Sequence, residues 1–512
     1  MIQENSFTNE VKWRRAFFAL LGAALLLRLV MAARFPILSD EAYFLFWGQY
    51  PDYGYYDHPP MMGWLAWLML QWSNAPWVVR LPSVIAPLLV SLVFVALLKR
   101  LGNAQAYLAG CLILLVPANL INVIITTDTP LMVFMALSAA SFVLAVHEGA
   151  LRWYGMAGIL LGCAFLSKYF AVLLGFAFLV FLAASPDIPR RWKAAGVIVL
   201  GSLPFGLLHA WWNYNHCWST LLFNAYNRTS NATLGVKTVG LYVLCTFYTL
   251  CPFALYRLSR ARARVRAAWK SPASRALLLL WVLPYALFAV VSLGKTVGLH
   301  WMFGFIPIFF ASAALLLREG EFRPSLIYLG LFSLLHVVAV FAVLALPLSV
   351  WQKTKAHDGI VYHTRMPELL RQIEPLRGNA ILMSAGYSVA AIASYYSGVY
   401  VPVWGLTTYH GRHDDILTDF RRFAGQRLVV LHKGVPAAGE YTPYFSHAEE
   451  TAIHQDGARF TLIVGEGFKY EAYRDRILRK IREHYYRIPR FLPVGACYFC
   501  DRYFPGEAYL RR

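Results

Sequence analysis

The stretch that decides the fold is WYGMAGILLGCAFLSKYFAVLLGFAFLVFLAA, residues 153–184. It is apolar almost throughout, yet Ser167-Lys168-Tyr169 interrupts it near the middle. A bilayer crossing takes roughly 20 apolar residues, and a lysine held in lipid is expensive. Two short helices meeting at the outer membrane face, with Lys168 at the vertex, remove that cost. They also keep the parity of the loops on either side.

Around this stretch the composition is that of a membrane protein. The 512 residues are 58% hydrophobic, 16% aromatic and only 14% charged, against about a quarter charged in a soluble domain. An ordinary cytosolic enzyme, a disordered chain, a collagen-like repeat and a disulfide-built miniprotein are all excluded. Further apolar runs lie near 15–34, 79–98, 104–121, 130–147, 194–211, 238–256, 276–293, 300–317 and 325–347. With 153–166 and 169–185 they predict about 11 spans. Loops beginning at Lys99, Arg152, Arg190, Arg257 and Arg318 are basic, which puts the N-terminus in the cytoplasm. The loop 257–275 is the strongest of them, with Arg257, Arg260, Arg262, Arg264, Arg266, Lys270 and Arg275 and no acidic residue. It reads as a topogenic, lipid-facing loop. The first segment lacks a small-residue cleavage site and carries Arg28 and Arg34 near its end, so it is expected to stay as an anchor.

The long apolar runs stop near Leu346–Thr354. Residues 1–350, with a first outer loop at 35–78, are expected to form the transmembrane domain, and 351–512 a soluble α/β domain on the far side. In that tail, 363–375, Val389–Tyr395 and Tyr470–His484 read as helices, and Ala380–Met383, Leu428–Leu431 and Phe460–Val464 as strands. The cluster His410, His413, Asp414 and Asp415 reads as a solvated loop and helix start. The net charge of +20 belongs to basic loops; no interleaved basic and aromatic surface points to nucleic acid. Cys111, Cys163, Cys217, Cys245 and Cys251 lie in or beside spans and read as packing residues. Cys497 and Cys500 form a Cys-x-x-Cys pair outside, open to a disulfide in an oxidising compartment. Asn227-Arg-Thr and Asn231-Ala-Thr are formal glycosylation sequons. There is no Gly-x-Gly-x-x-Gly and no Walker-type loop.

Sorted by side, the acidic residues of the membrane part thin out at the outer face to Asp40, Glu41, Asp52, Asp57 and Asp128. The same face collects the basic groups His58, Lys168, Arg228, Lys295 and His300. Few carboxylates and several cations suit a phosphate-bearing lipid. The first outer loop reads Leu38-Ser-Asp40-Glu41-Ala-Tyr-Phe-Leu-Phe-Trp47, then Gly54-Tyr-Tyr-Asp57-His58-Pro59-Pro60. Arg80-Leu-Pro-Ser83, Thr127-Asp128-Thr-Pro130, Leu166-Ser-Lys-Tyr169, Trp212-Asn-x-Asn-His216 and Lys295 with His300-Trp301 follow in order.

Together these resemble the bacterial relatives of dolichyl-phosphate-mannose–protein mannosyltransferases. That broad GT-C class includes the aminoarabinose transferase acting on lipid A. The resemblance covers residues 15–310 firmly and the tail loosely. It implies a polytopic α-helical GT-C fold with a C-terminal periplasmic α/β domain, in the bacterial inner membrane. The implied activity is transfer of a sugar from a polyprenyl-phosphate donor to an envelope acceptor such as lipid A or lipopolysaccharide core, with inversion. Asp40 matches the general base; a helix cap is its plain alternative. Glu41 either orients an acceptor or makes a structural ion pair. Asp57 matches a position that coordinates a metal in the aminoarabinose branch, which leaves a divalent metal ion open as a cofactor without requiring one. His58 stands where that branch has lysine, and is kept as a substrate contact. Asp128 binds acceptor, holds the first loop or caps a helix. Lys168 and Arg228 ligate the lipid phosphate or snorkel to headgroups. Lys295 and His300 do the same from the next outer turn. The expected partners are the lipid-linked donor, a glycolipid or glycan acceptor and membrane lipids. A lipid or glycan flippase is the rival from another class, and a non-catalytic envelope scaffold a third. Flippases place charge near the midplane between repeated halves, whereas here it gathers at one face.

Overall fold

The computed structural model describes residues 2–227, 235–405 and 412–512. The chain divides into two compact units. One comprises Met1–Arg34, Trp77–Leu208 and Asn231–Leu344; the other comprises Phe35–Pro76, His209–Ser230 and Ala345–Arg512. The sequons, the expected phosphate ligand Arg228, and His410 of the loop read as solvated involve residues outside the described ones.

The protein is a polytopic helical membrane protein. Among the described residues, seven helices are long and apolar enough to cross: Asn9–Arg34, Pro76–Arg100, Asp128–Glu148, Arg191–Tyr214, Pro272–Ser292, Leu299–Leu316 and Glu319–Ala345. An eighth arises if Val236–Leu250 and Pro252–Arg260, bent by 87°, count as one span. The three remaining expected runs are shorter helices, so about 11 spans become seven or eight. Two of the shorter helices, Leu151–Ser167 and Ala171–Ala183, meet at Lys168, whose φ of −166° and ψ of 143° end the first. The expected helix break at Lys168 is there. The third run splits into Ala106–Leu114 and Pro117–Ile121. Pro117 lacks a backbone donor and pushes Val116 into the extended region, where its ψ is 129°.

The core of the first unit is aliphatic and aromatic, with Phe142 stacked on Phe178 at 4.1 Å. A Cβ at Gly158 would lie 2.4 Å from the Ile198 carbonyl oxygen, so glycine is what lets those helices approach. Arg28 of the first span is fully buried. Its guanidinium donates to the carbonyls of Val84 at 3.0 Å, Ser83 at 2.5 Å and Asn122 at 2.7 Å, and to that of Asn119. The last two are carbonyls left open at the end of Pro117–Ile121, so Arg28 caps the broken helix from a neighbouring one. Arg28→Leu is expected to cost about 3 kcal/mol or more, because buried carbonyls lose their donors. A thermal melt in detergent checks this; an unchanged midpoint would show that other donors replace the arginine.

The second unit carries a four-stranded sheet in the order β1-β2-β4-β3. The strands are β1 (Ile381–Ser384), β2 (Leu428–Lys433), β3 (His447–Gln455) and β4 (Ala458–Glu466). β1 runs parallel to β2, and the other pairs are antiparallel. Asp456 and Gly457, at φ 47° and 85°, make the two-residue turn from β3 to β4 that suits a twisted hairpin. Helices Met366–Arg377 and Tyr387–Ser397 match the expected ones. Tyr470–His484 is helical too, with a π-helical turn at Arg474–Leu478. Trp404, Phe420, Phe445, Phe468 and Tyr473 form an aromatic core beside the sheet.

The cysteine reading needs correction. Cys497 pairs with Cys217, not Cys500, and Cys500 is a buried thiol. Cys217 is therefore no simple packing residue. Hydrogen bonds from Cys217 N to Ala496 O (3.1 Å), Gly495 N to Tyr214 O (3.2 Å) and Trp218 Nε1 to Pro493 O (2.6 Å) lay the two segments side by side. That alignment, across 280 residues of sequence, brings the two sulfurs together.

Candidate active site

In the second unit the site begins at the helix Ser39–Gln49, with Asp40 and Glu41 in its first turn, where the helix dipole favours carboxylates. Glu41 is buried and its Oε2 accepts from Leu38 N at 3.4 Å. Asp40 is exposed; its Oδ1 accepts from the Tyr387 hydroxyl at 3.4 Å. The helix is capped at Leu38 without a side-chain cap bond, so capping is not what the Asp40 carboxylate does. Ser39 N and Oγ lie 3.2 and 3.0 Å from His363 Nε2. His363 Nδ1 lies 2.6 Å from Gly359 O. Burial lowers the His363 pKa from the usual imidazole range, so the neutral ring donates from Nδ1 and accepts from Ser39. The pair pins the end of the helix that presents Asp40.

The next segment holds Asp57. Tyr55 stacks on Trp47 at 4.4 Å and donates to Trp47 O at 3.1 Å. Thr220 Oγ1 donates to Tyr55 O at 2.8 Å and Asn224 Nδ2 to Asp57 O at 2.9 Å. Asp57 is buried. Its Oδ1 accepts from Tyr43 OH at 3.3 Å and lies 3.5 Å from His58 Nδ1; its Oδ2 accepts from Arg412 Nη1 at 3.0 Å. Burial alone would raise its pKa, but His58 and Arg412 outweigh it and hold the carboxyl at about 2. The Arg412 guanidinium also lies 4.2 Å from the Tyr387 ring centre and 5.3 Å from that of Phe223. Its backbone is left-handed, φ 56°, a conformation that costs a non-glycine residue energy. Asp40, Tyr387, Arg412 and Asp57 thus form one connected string.

Among the described residues no group of three or more His, Cys, Asp or Glu side chains is arranged to hold a metal ion. At Asp57, Arg412 takes one carboxylate oxygen, while Tyr43 and His58 face the other. A guanidinium has no lone pair for a metal and repels one. The donor set at Asp57 does not fit a divalent ion.

His413, Asp414 and Asp415 are all buried, a correction to the solvated loop expected there, although Asp414–Leu417 does start a short helix. Hydroxyls replace the water. Asp414 accepts from Tyr400 OH, from Thr418 Oγ1 at 3.0 Å and from Val403 N at 3.1 Å; Asp415 accepts from Tyr486 OH at 2.7 Å. Burial pushes Asp414 up to about 7 and His413 down to about 3. A raised carboxyl pKa stabilises the fold below the unfolded value of about 4 and is lost as pH rises through 7. The lowered His413 acts oppositely between about 3 and 6.5, and Asp57 only below about 4. Comparison with Asp414→Asn isolates the first effect. The variant is expected to gain several degrees of thermal stability at pH 8 relative to pH 5, and identical pH profiles would refute this.

In the first unit, Lys168 Nζ donates to both carboxylate oxygens of Asp128 at 2.8 Å. Both residues are buried. Asp128 opens the helix Asp128–Glu148, whose cap is Thr127, and Lys168 ends Leu151–Ser167. Neither residue follows its plain alternative: Asp128 is not the cap, and Lys168 does not reach out to headgroups. Ser83 Oγ and Thr129 Oγ1, from two of the quoted motifs, lie 2.8 Å apart. Lys295 is half-buried in the turn after Pro272–Ser292, and His300 is exposed in the 3₁₀ turn Leu299–Phe305. Sequence reasoning missed Tyr43, His363, Tyr387 and Arg412. Arg412 adjoins His413-Asp414-Asp415, and Tyr387 opens the helix Tyr387–Ser397; neither stretch announces the first loop as its partner.

Residues 57–212 match the family described as dolichyl-phosphate-mannose-protein mannosyltransferase. Lipid A galacturonosyltransferase RgtD of Rhizobium johnstonii is 29% identical over 185 residues, 35% of this chain. The match spans only 38% of that relative's length. ArnT from Cupriavidus metallidurans, in a crystal structure with undecaprenyl phosphate, is similar with a TM-score of 0.61 at 13% identity. That likeness covers 88% of this chain and 98% of ArnT. The chain is thus similar, over residues 57–212, to the dolichyl-phosphate-mannose-protein mannosyltransferase family, and it has the fold of ArnT.

Proposed function

We propose that the protein is a GT-C glycosyltransferase that moves a sugar from a polyprenyl phosphate to an envelope glycolipid. The observation that carries this reading is the family region, residues 57–212, set in a chain with the ArnT fold. That ArnT structure is bound to undecaprenyl phosphate, and RgtD acts on lipid A; lipid A or lipopolysaccharide core is the proposed acceptor here. The acceptor hydroxyl attacks the anomeric carbon from the face opposite the phosphate and gives its proton to Asp40. The bond from the anomeric carbon to the phosphate oxygen breaks, releasing the polyprenyl phosphate with the opposite anomer formed. Lys168, Arg228, Lys295 and His300 meet the phosphate charge. Glu41, His58 and Asp128 contact or orient substrate.

The reaction is proposed for the periplasmic face of a bacterial inner membrane, with residues 1–350 as the membrane domain and 351–512 as the periplasmic domain. The Cys217–Cys497 disulfide supports that side, since such bonds persist in oxidising compartments. Native mass spectrometry of the gently purified protein tests the donor: a polyprenyl phosphate, with or without its sugar, is expected to be retained. Lys168→Ala is expected to weaken donor retention about tenfold or more, as loss of a charge-assisted contact does. Bulk phospholipid alone, even after polyprenyl phosphate is added back, would sink the donor assignment.

A further inference from the structure

The first unit contains a basic elbow that the transfer reaction leaves unused. Val236–Leu250 ends at Cys251, φ 59° and ψ 113°, and Pro252–Arg260 leaves at 87°. Arg262–Trp269 follows. From 251 to 275 the chain has seven cations and no carboxylate.

Two of these cations are spent within the protein. Arg264 holds Glu321 with bonds of 2.5 and 2.8 Å, and Arg275 holds both oxygens of Asp187 at 2.7 Å. These pairs staple the elbow to the segments after Ala171–Ala183 and before Arg323–Ala345. Arg257 also contributes to the field on Glu321. Arg260, Arg262, Arg266 and Lys270 remain exposed, and among the described residues no carboxylate pairs with them. Arg262 and Arg266 stand one turn apart on the same helix, where like charges repel. Phe253, Tyr256 and Trp269 are also exposed, at 43%, 57% and 46%. A topogenic loop needs the positive charges alone. Charges interleaved with exposed aromatics, on short helices turned across the end of a span, are what an anionic lipid surface recognises.

We infer that the elbow 251–270 is a binding site for anionic phospholipid headgroups. The lipid phosphate meets the guanidiniums of Arg260, Arg262 and Arg266, and the upper acyl chain lies along Phe253, Tyr256 and Trp269. The counter-charge relieves the Arg262–Arg266 repulsion. Through Arg264–Glu321 and Arg275–Asp187 the bound lipid steadies three inter-helix segments of the unit. The inference is independent of the transferase reading.

The test is titration of the delipidated full-length protein with phosphatidylglycerol or phosphatidylcholine, read by native mass spectrometry. The wild type is expected to retain phosphatidylglycerol preferentially. Arg260→Gln, Arg262→Gln and Arg266→Gln together are expected to weaken it about a hundredfold, at about fivefold per arginine. The triple Arg→Lys variant keeps the charge and is expected to keep the binding. If the glutamine variant fails to fold, Tyr256→Ser with Trp269→Ser leaves every charge in place and is expected to lose binding several-fold. Equal retention of the two lipids, unchanged retention in the glutamine variant (or in the serine variant where that one fails to fold), or displacement by millimolar inorganic phosphate overturns the inference.

Discussion

Asp40→Asn is expected to lower turnover by roughly 10²- to 10⁴-fold, the range spanned by a lost general base, while leaving donor retention at the wild-type level. The carboxamide has the same shape and keeps an oxygen for the Tyr387 hydroxyl, which donates to Asp40 Oδ1 at 3.4 Å. The helix that carries it is pinned through Ser39 and His363, neither of which the substitution touches. Folding and lipid binding therefore serve as internal controls. Single-turnover assays with a purified lipid-linked sugar separate the chemical step from binding. Turnover within a few-fold of wild type would remove the base from Asp40. Turnover and donor retention lost together would instead point to a structural role.

The second large effect is expected at Arg412. Arg412→Ala strips Asp57 of the guanidinium 3.0 Å from its Oδ2 and leaves a carboxylate 1% exposed beside Tyr43 and His58. Breaking a buried pair from one side typically costs about 3–5 kcal/mol, so a lowered melting point is expected. The Asp57 pKa should rise from about 2, since a cation that favoured the charged form has gone. Transfer should fall with it, because Arg412 also packs on Tyr387, the hydroxyl neighbour of Asp40. Arg412→Lys keeps the charge without the planar stack and should fall between. Added guanidinium at millimolar concentration should restore part of the alanine variant's activity, a response that simple unfolding would not give. A variant as stable and active as wild type would show that the Asp57–Arg412 pair is dispensable.

How far the sequence could be read depended on the range of the interaction. Hydropathy located the long spans, and the cost of Lys168 in lipid located the break between Leu151–Ser167 and Ala171–Ala183. In the tail, three strands and three helices were legible from periodicity. β3 was not: HAEETAIHQ is a mostly exposed edge strand, so alternation of apolar residues gives it away only weakly.

The site divides the same way. Asp40, Glu41, Asp57 and Asp128 were singled out by their place at the outer face and by the family resemblance, and Lys168 also by its cost inside an apolar run. Their partners were not. Asp57 meets Arg412 across 355 residues, Ser39 meets His363 across 324, and Cys217 meets Cys497 across 280. Likewise His413, Asp414 and Asp415 looked solvated because their local sequence is polar, whereas tyrosines distant in sequence bury them.

By itself, then, the sequence determined the membrane class, most of the span positions and the first-loop carboxylates. Transfer cost and backbone preference act over a turn or two of chain, so a short window carries them. Tertiary structure alone decided which cation holds Asp57, which cysteine holds Cys497 and how the first helix caps Pro117–Ile121 through Arg28. Those choices depend on which distant segments pack together, and pairing across hundreds of residues leaves no mark in the local pattern.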